Sequence, residues 1–199
     1  MISDIQKEKT RIGDILRFKL KGPISFSNAL RRIMISEVPT YAIEYVYIYE
    51  NTSSMYDELI AHRLGLIPIK GKPLSKEEVI TFVLNKEGPC TVYSGDLRSE
   101  TGEVAFKNIP IVKLKEGQRL KLECEAVVGI GKVHAKWQPC HCIYKQIGED
   151  EVEFLVESHG NMEPEEILKS SIEILKDKGE KLLKELETLE EQGGIYEGT

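Results

Sequence analysis

The sequence predicts an α+β protein with a long helical seam near its end and a middle stretch of strands and loops. Three observations predict it. Apolar residues alternate with charged or small ones over residues 16–20, 119–130 and 152–158, the period of half-buried strands. Apolar residues recur at helical spacing over 26–34, and in a seven-residue repeat over 168–189. Between these lies a middle, roughly 70–142, of Gly, Pro and short apolar runs that reads as strands and loops.

Taken in order, residues 16–20 set Leu16, Phe18 and Leu20 against Arg17 and Lys19, and Lys21-Gly22-Pro23 ends that strand as a turn. Ser25 then stands where an N-cap would, its hydroxyl able to accept from the first helical amides. Phe26, Ala29, Leu30, Ile33 and Met34 make one apolar stripe, flanked by Arg31 and Arg32, and Pro39 stops the helix. Residues 42–50 are rich in Tyr and β-branched residues, as strands prefer. Strict alternation puts Ile43, Tyr45, Tyr47 and Tyr49 on one face and Ala42, Glu44, Val46, Ile48 and Glu50 on the other. Asn51 to Ser54 break the strand, and Ser54 with Asp57 predicts a capped helix over 55–66.

A short strand is expected over 109–114. Residues 119–130 carry the cleanest strand pattern, with Leu120, Leu122, Cys124, Ala126, Val128 and Ile130 facing inward. Gly129-Ile130-Gly131 breaks it into a loop through Trp137 and Pro139. After the strand at 152–158, Pro164 suits the first turn of a helix that runs to about Glu191, with a frayed tail from Gly194. Leu168, Ile172, Leu175, Gly179, Leu182, Leu186 and Leu189 form its heptad seam. A seam so long needs a long partner surface, and the other helices are short; part of it is therefore expected to meet another chain. Gly179 costs roughly 1 kcal/mol of helix propensity relative to Ala, which points to a close helix crossing there.

The chain has 199 residues, is 41% hydrophobic and carries a net charge of −6, enough apolar material for one core or two small ones. An acidic balance argues against a nucleic-acid clamp acting alone, which needs a basic face. No run of about 18 apolar residues occurs, so no membrane span is expected. The charged N-terminus lacks the apolar core of a secretory signal, and an intracellular, cytoplasmic setting is the expectation.

The chemistry-bearing residues are few. Cys90, Cys124, Cys140 and Cys142 include no C-x-x-C pair, so free thiols are expected in place of a disulfide framework or zinc site. Cys140-His141-Cys142 is the sharpest cluster and carries the alternative reading of a small thiol- or metal-dependent enzyme. Alternation, however, sends the two cysteines to one face and His141 to the other. No Ser or Cys nucleophile is spaced to suggest a triad. The tyrosines of 43–49 read either as a core face or as a base-stacking platform, which with Arg31 and Arg32 would make a nucleic-acid-binding protein.

The words of the sequence add a resemblance. NALRRIMISEVP (28–39), DELIAHRLGLIPI (57–69) and GKVHAKWQP (131–139) resemble the alpha-like subunits of RNA polymerase. That family holds the bacterial alpha N-terminal domain, its archaeal counterpart and the eukaryotic third-largest subunit. The final strand and long helix are similar too, and the short length and Lys/Glu richness point to the archaeal branch. The resemblance implies a discontinuous dimerisation domain, 1–50 with 146–199, interrupted by an inserted mostly-β domain at 51–145. It implies a non-catalytic assembly platform with no catalytic residues of its own in a DNA-directed RNA polymerase, touching DNA only through the assembled enzyme.

The implied partners are a small alpha-like subunit (subunit L in archaea), the second-largest and largest catalytic subunits, and small zinc-bearing subunits. On this chain the heterodimer interface would fall on Phe26, Leu30, Ile33, Met34, Leu168, Ile172, Leu175, Leu182 and Leu186. Docking of the large subunits would fall on Arg31, Arg32, His62 and Arg63. Many archaeal members carry a cysteine-ligated iron–sulfur insert after the stretch matching Gln138 to Tyr144. Here only residues 146–151 separate that stretch from the final strand, so no cluster is expected, and Cys90 alone makes no zinc loop.

Overall fold

Two separate buried clusters organise the chain, and the order of strands explains how. The computed structural model describes residues 1–10 and 13–191; the tail expected from Gly194 lies outside the described residues. β1 (Ile2–Lys9) and β2 (Asp14–Lys21) pair antiparallel, followed by α1 (Ile24–Ser36). β3 (Thr40–Asn51), α2 (Asp57–Gly65), β4 (Ile69–Lys70), β5 (Val79–Glu87), β6 (Cys90–Tyr93), β7 (Glu103–Val104), β8 (Pro110–Leu114) and β9 (Arg119–Gly129) follow. β10 (Cys140–Gln146) and β11 (Glu151–Ser158) form a hairpin, and α3 (Pro164–Glu191) comes last.

The first cluster lies under an antiparallel sheet of order β1-β2-β11-β10, with α1 and α3 on one face. The alternation read from 16–20 and 152–158 is realised: Leu16, Phe18, Leu20, Val152, Phe154 and Val156 all point inward and are buried. Phe18 sits opposite Phe154, their rings stacked at 4.9 Å, a contact worth about 1 kcal/mol beyond the area it buries. Leu30 and Met34 of α1, Ile167 of α3, and Cys140 and Cys142 of β10 fill the space between sheet and helices.

The second cluster is built by a three-stranded sheet of order β3-β9-β5, by α2, and by the small pairs β4-β7 and β6-β8. Leu120, Leu122, Cys124 and Ala126 of β9 are buried as their spacing requires. The stretch 131–139 joins the two units. Lys132 N donates to Ser36 O at 2.8 Å, and Thr40 Oγ1 donates to the Trp137 carbonyl at 2.9 Å. Trp137 lies so close over Gly129 that a Cβ there would overlap the indole, which is why glycine ends β9.

The observed architecture is the expected α+β one, a sheet-and-helix unit from the chain ends interrupted by a mostly-β unit. The dividing line differs in detail from 50 and 146. β3 belongs to the second cluster and β10 to the first, because β3 pairs with β9 and β10 with β11.

Three local expectations are corrected. Ser25 is not an N-cap: the helix begins at Ile24, directly after Pro23, whose ring presets the entry angle. Ser54 does not cap α2, which begins at Asp57; Asn51 organises that entry instead. Its Nδ2 donates to Met55 O at 2.9 Å and to Asp57 Oδ1 at 2.6 Å, while its Oδ1 accepts from Ser53 N at 3.0 Å. The register of β3 against β9 shifts between Ile43 and Tyr45, a bulge at Glu44. Tyr41 and Ile43 therefore face the core, but beyond the bulge Val46 and Ile48 pack on it and Tyr45, Tyr47 and Tyr49 face out.

Candidate docking surfaces

Arg31 and Arg32 lie on the last half of α1, away from the buried stripe, because that stripe rests on the sheet. Arg31 Nη2 donates to Asn28 Oδ1 at 3.1 Å, and Arg32 is exposed. Among the described residues neither arginine pairs with a carboxylate. Both line an open recess of about 530 Å³ between α1, α3 and the 131–139 stretch, together with Glu37, Lys132, Leu175 and Lys178. Lys178 Nζ lies 2.6 Å from Glu37 Oε1, tying α3 to the end of α1 and neutralising the one acid there. A recess holding two unpaired guanidinium groups and Lys132 is arranged to receive carboxylates. Lys132 and Lys178 carry no signal in the sequence, since nothing local marks lysines that meet only in space.

The apolar residues expected at a dimer surface divide into two groups. Leu30, Ile33 and Met34 are buried within this chain, Leu30 and Met34 in the core under the sheet and Ile33 on the side of α1 that lines the recess with Leu175; Phe26 stays exposed. On α3, Leu168 packs against the first cluster and Leu175 is half-buried, while Ile172 is exposed. From residue 176 to 189 every side chain is exposed, including Leu182 at 58% and Leu186 at 44%. The distal half of α3 thus stands clear of the fold with its seam uncovered. Among the described residues nothing lies within 4 Å of where a Cβ on Gly179 would stand, so none of them makes the helix crossing expected there. An apolar recess of about 310 Å³ continues the seam, lined by Ile5, Leu16, Phe18, Leu168 and Ile172 among others. Ile5 is invisible in the sequence because β1 is exposed along its whole length and shows no alternation.

His62 and Arg63 fall in the last turn of α2, both exposed. Arg63 Nη2 donates to Pro110 O at 2.6 Å, which fastens α2 to β8. The Cys140-His141-Cys142 cluster is divided as alternation requires: both thiols are buried, and His141 is exposed opposite Glu157. Burial pushes the Cys124 and Cys142 thiols up to about 12, and that of Cys140 higher still. Thiols held neutral in this way are poor nucleophiles and poor metal ligands. Among the described residues no group of three His, Cys, Asp or Glu is placed to hold a metal ion. Nor, among them, is any helix long and apolar enough to cross a membrane.

Comparison with known proteins then decides the family. Residues 46–143 match the RNA polymerase Rpb3/RpoA insert domain, a stretch that begins inside β3 and ends inside β10. The DNA-directed RNA polymerase subunit Rpo3 of Methanocaldococcus jannaschii is 70% identical over 191 residues, 96% of this chain and 100% of that protein. The chain belongs to the Rpo3 family, the archaeal alpha-like subunits of RNA polymerase. Two other Rpo3 proteins are longer. That of Pyrococcus furiosus is 49% identical over 144 residues, 66% of this chain and 55% of its own length. That of Thermococcus kodakarensis is 47% identical over 146 residues, 67% of this chain and 56% of its own length. The chain thus spans about half the length of these two relatives and all of the first. As an Rpo3, it is a subunit of a DNA-directed RNA polymerase and assembles with other polymerase subunits.

Proposed function

We propose that this chain is the assembly platform of its polymerase and contributes no catalytic residue to it. It pairs with the small alpha-like subunit L and then recruits the large catalytic subunits. The observation that carries this reading is the uncovered distal half of α3, where Leu182, Leu186 and Leu189 stand exposed on a helix that has run past its own sheet. Covering such a seam with a second helix removes apolar surface from water at about 25 cal/mol per Å². The recess around Ile5 and Ile172 extends the same surface, and Phe26 adds an exposed ring at the start of α1.

The basic recess serves the next step. Arg31 and Arg32, without a carboxylate partner among the described residues, offer bidentate donors to carboxylates of the second-largest subunit. His62 and the exposed end of α2 face the largest subunit and a small zinc-bearing one. DNA meets this chain only through the completed enzyme. No iron–sulfur cluster or zinc ion belongs to it, since three of its four cysteines lie in the two apolar cores.

Stepwise reconstitution tests the order. Arg31→Glu with Arg32→Glu leaves the complex with subunit L intact and abolishes capture of the second-largest subunit on a sizing column. Loss of the subunit L complex instead would place the arginines on the wrong surface.

A further inference from the structure

The contacts proposed for α1, α2 and α3 leave unused the outward face of the β3-β9-β5 sheet. The bulge at Glu44 turns three tyrosines to that face, and they remain exposed: Tyr45 at 53%, Tyr47 at 47% and Tyr49 at 63%. β3 is also an edge strand, so among the described residues no further strand flanks this row. Cross-strand pairing orders the face into three columns. Tyr45 stands opposite Glu125 and Tyr47 opposite Glu123; on the other side Glu125 meets Thr81 and Glu123 meets Val83. Tyr49 Oη donates to Glu123 Oε2 at 3.1 Å. Lys121 Nζ lies 5.9 Å from the Tyr49 ring centroid, at one end of the row. Glu44 is occupied by Lys136, which also donates to the Ile43 carbonyl at 2.9 Å.

We propose that this face is a docking site for an arginine-bearing segment of another polymerase subunit. The proposal rests on the chain's being a polymerase subunit but not on which subunit it pairs with through α3. The central column supplies two carboxylates, and the tyrosine column supplies the negative faces of three rings. A guanidinium can stack on a ring and donate two hydrogen bonds to a carboxylate at once, which an ammonium does less well. The Lys121 contact with Tyr49 shows the same attraction within the chain, at its outer limit of distance. The row from Tyr45 to Tyr49 is about 13 Å long at strand spacing, the length of roughly four extended residues. Nucleic acid fits poorly, because its phosphates would lie against Glu123 and Glu125.

The test uses the polymerase assembled with this chain, with Tyr47 replaced by the photo-cross-linker p-benzoylphenylalanine. The expected result is a cross-link to an arginine-bearing segment of another subunit. Its yield falls by about tenfold when Glu123→Lys and Glu125→Lys are added, as expected on reversing partly desolvated charge pairs. Glu123→Gln with Glu125→Gln, gentler to folding, lowers the yield less. The presence of the chain in the purified enzyme is scored separately, so failure of assembly is not confused with failure of this contact. Absence of a cross-link in assembled enzyme overturns the proposal. So does a cross-link indifferent to both pairs of substitutions, or one to nucleic acid or to a second copy.

Discussion

Cys140 and Cys142 show how far single side chains can be read. Their two-residue spacing puts both on one face of an edge strand, and that face is the first core; His141 goes the other way. Burial of Cys124, Cys140 and Cys142, against partial exposure of Cys90, predicts a simple titration. A thiol reagent at neutral pH modifies one cysteine in the folded chain and all four in denaturant. Rapid modification of Cys140 or Cys142 in the folded chain would restore the thiol-enzyme alternative. Serines near a helix start are harder to read, because a hydroxyl there has several local partners to choose among. Asn51, with both a donor and an acceptor, outcompetes Ser54. The tyrosine face is hidden for another reason: alternation says nothing about a bulge, and the extra residue at Glu44 sends the side chains that follow to the opposite side until the register shifts again between Ile48 and Glu50.

α3 is the element on which the proposed assembly role turns, and its length and seam are plain in the sequence. What the heptad cannot tell is where the sheet stops supporting the helix. That point, near Leu175, is set by the four-strand sheet behind it. Two substitutions probe the part beyond. Leu182→Asp lies on an exposed side chain, so it changes the stability of the chain alone by no more than about 0.5 kcal/mol. On the proposed pairing it breaks the complex with subunit L, where it would bury an unpaired charge; thermal melting of the chain and mass of the mixture separate the two effects. Gly179→Ala gains roughly 1 kcal/mol of helix propensity, and its methyl meets nothing within 4 Å among the described residues. It therefore raises the melting temperature of the chain alone and weakens the pair, marking Gly179 as the crossing point. Unchanged affinity would move the crossing elsewhere. The long alternating strand β9 is equally legible, whereas β4, β6 and β7, of two to four residues, are too short to show a period.

The division into two cores follows from pairing that no local pattern reveals. β3 looks continuous with the first unit because it follows α1 in sequence; its partner is β9, almost eighty residues away, and hydrogen bonding to that partner places it. The motifs 28–39, 57–69 and 131–139 make the family legible all the same, since they surround the points where the two units meet. A chain of net charge −6 with a basic recess, an apolar helix face and an acidic tyrosine face is built to hold several neighbours at once. The most direct measurement is the mass in solution, by light scattering, of the chain expressed alone and together with subunit L. Alone, with its seam uncovered, the chain self-associates or precipitates; together the two give a single 1:1 complex. A stable, soluble monomer whose mass does not change when subunit L is present would contradict the assembly role.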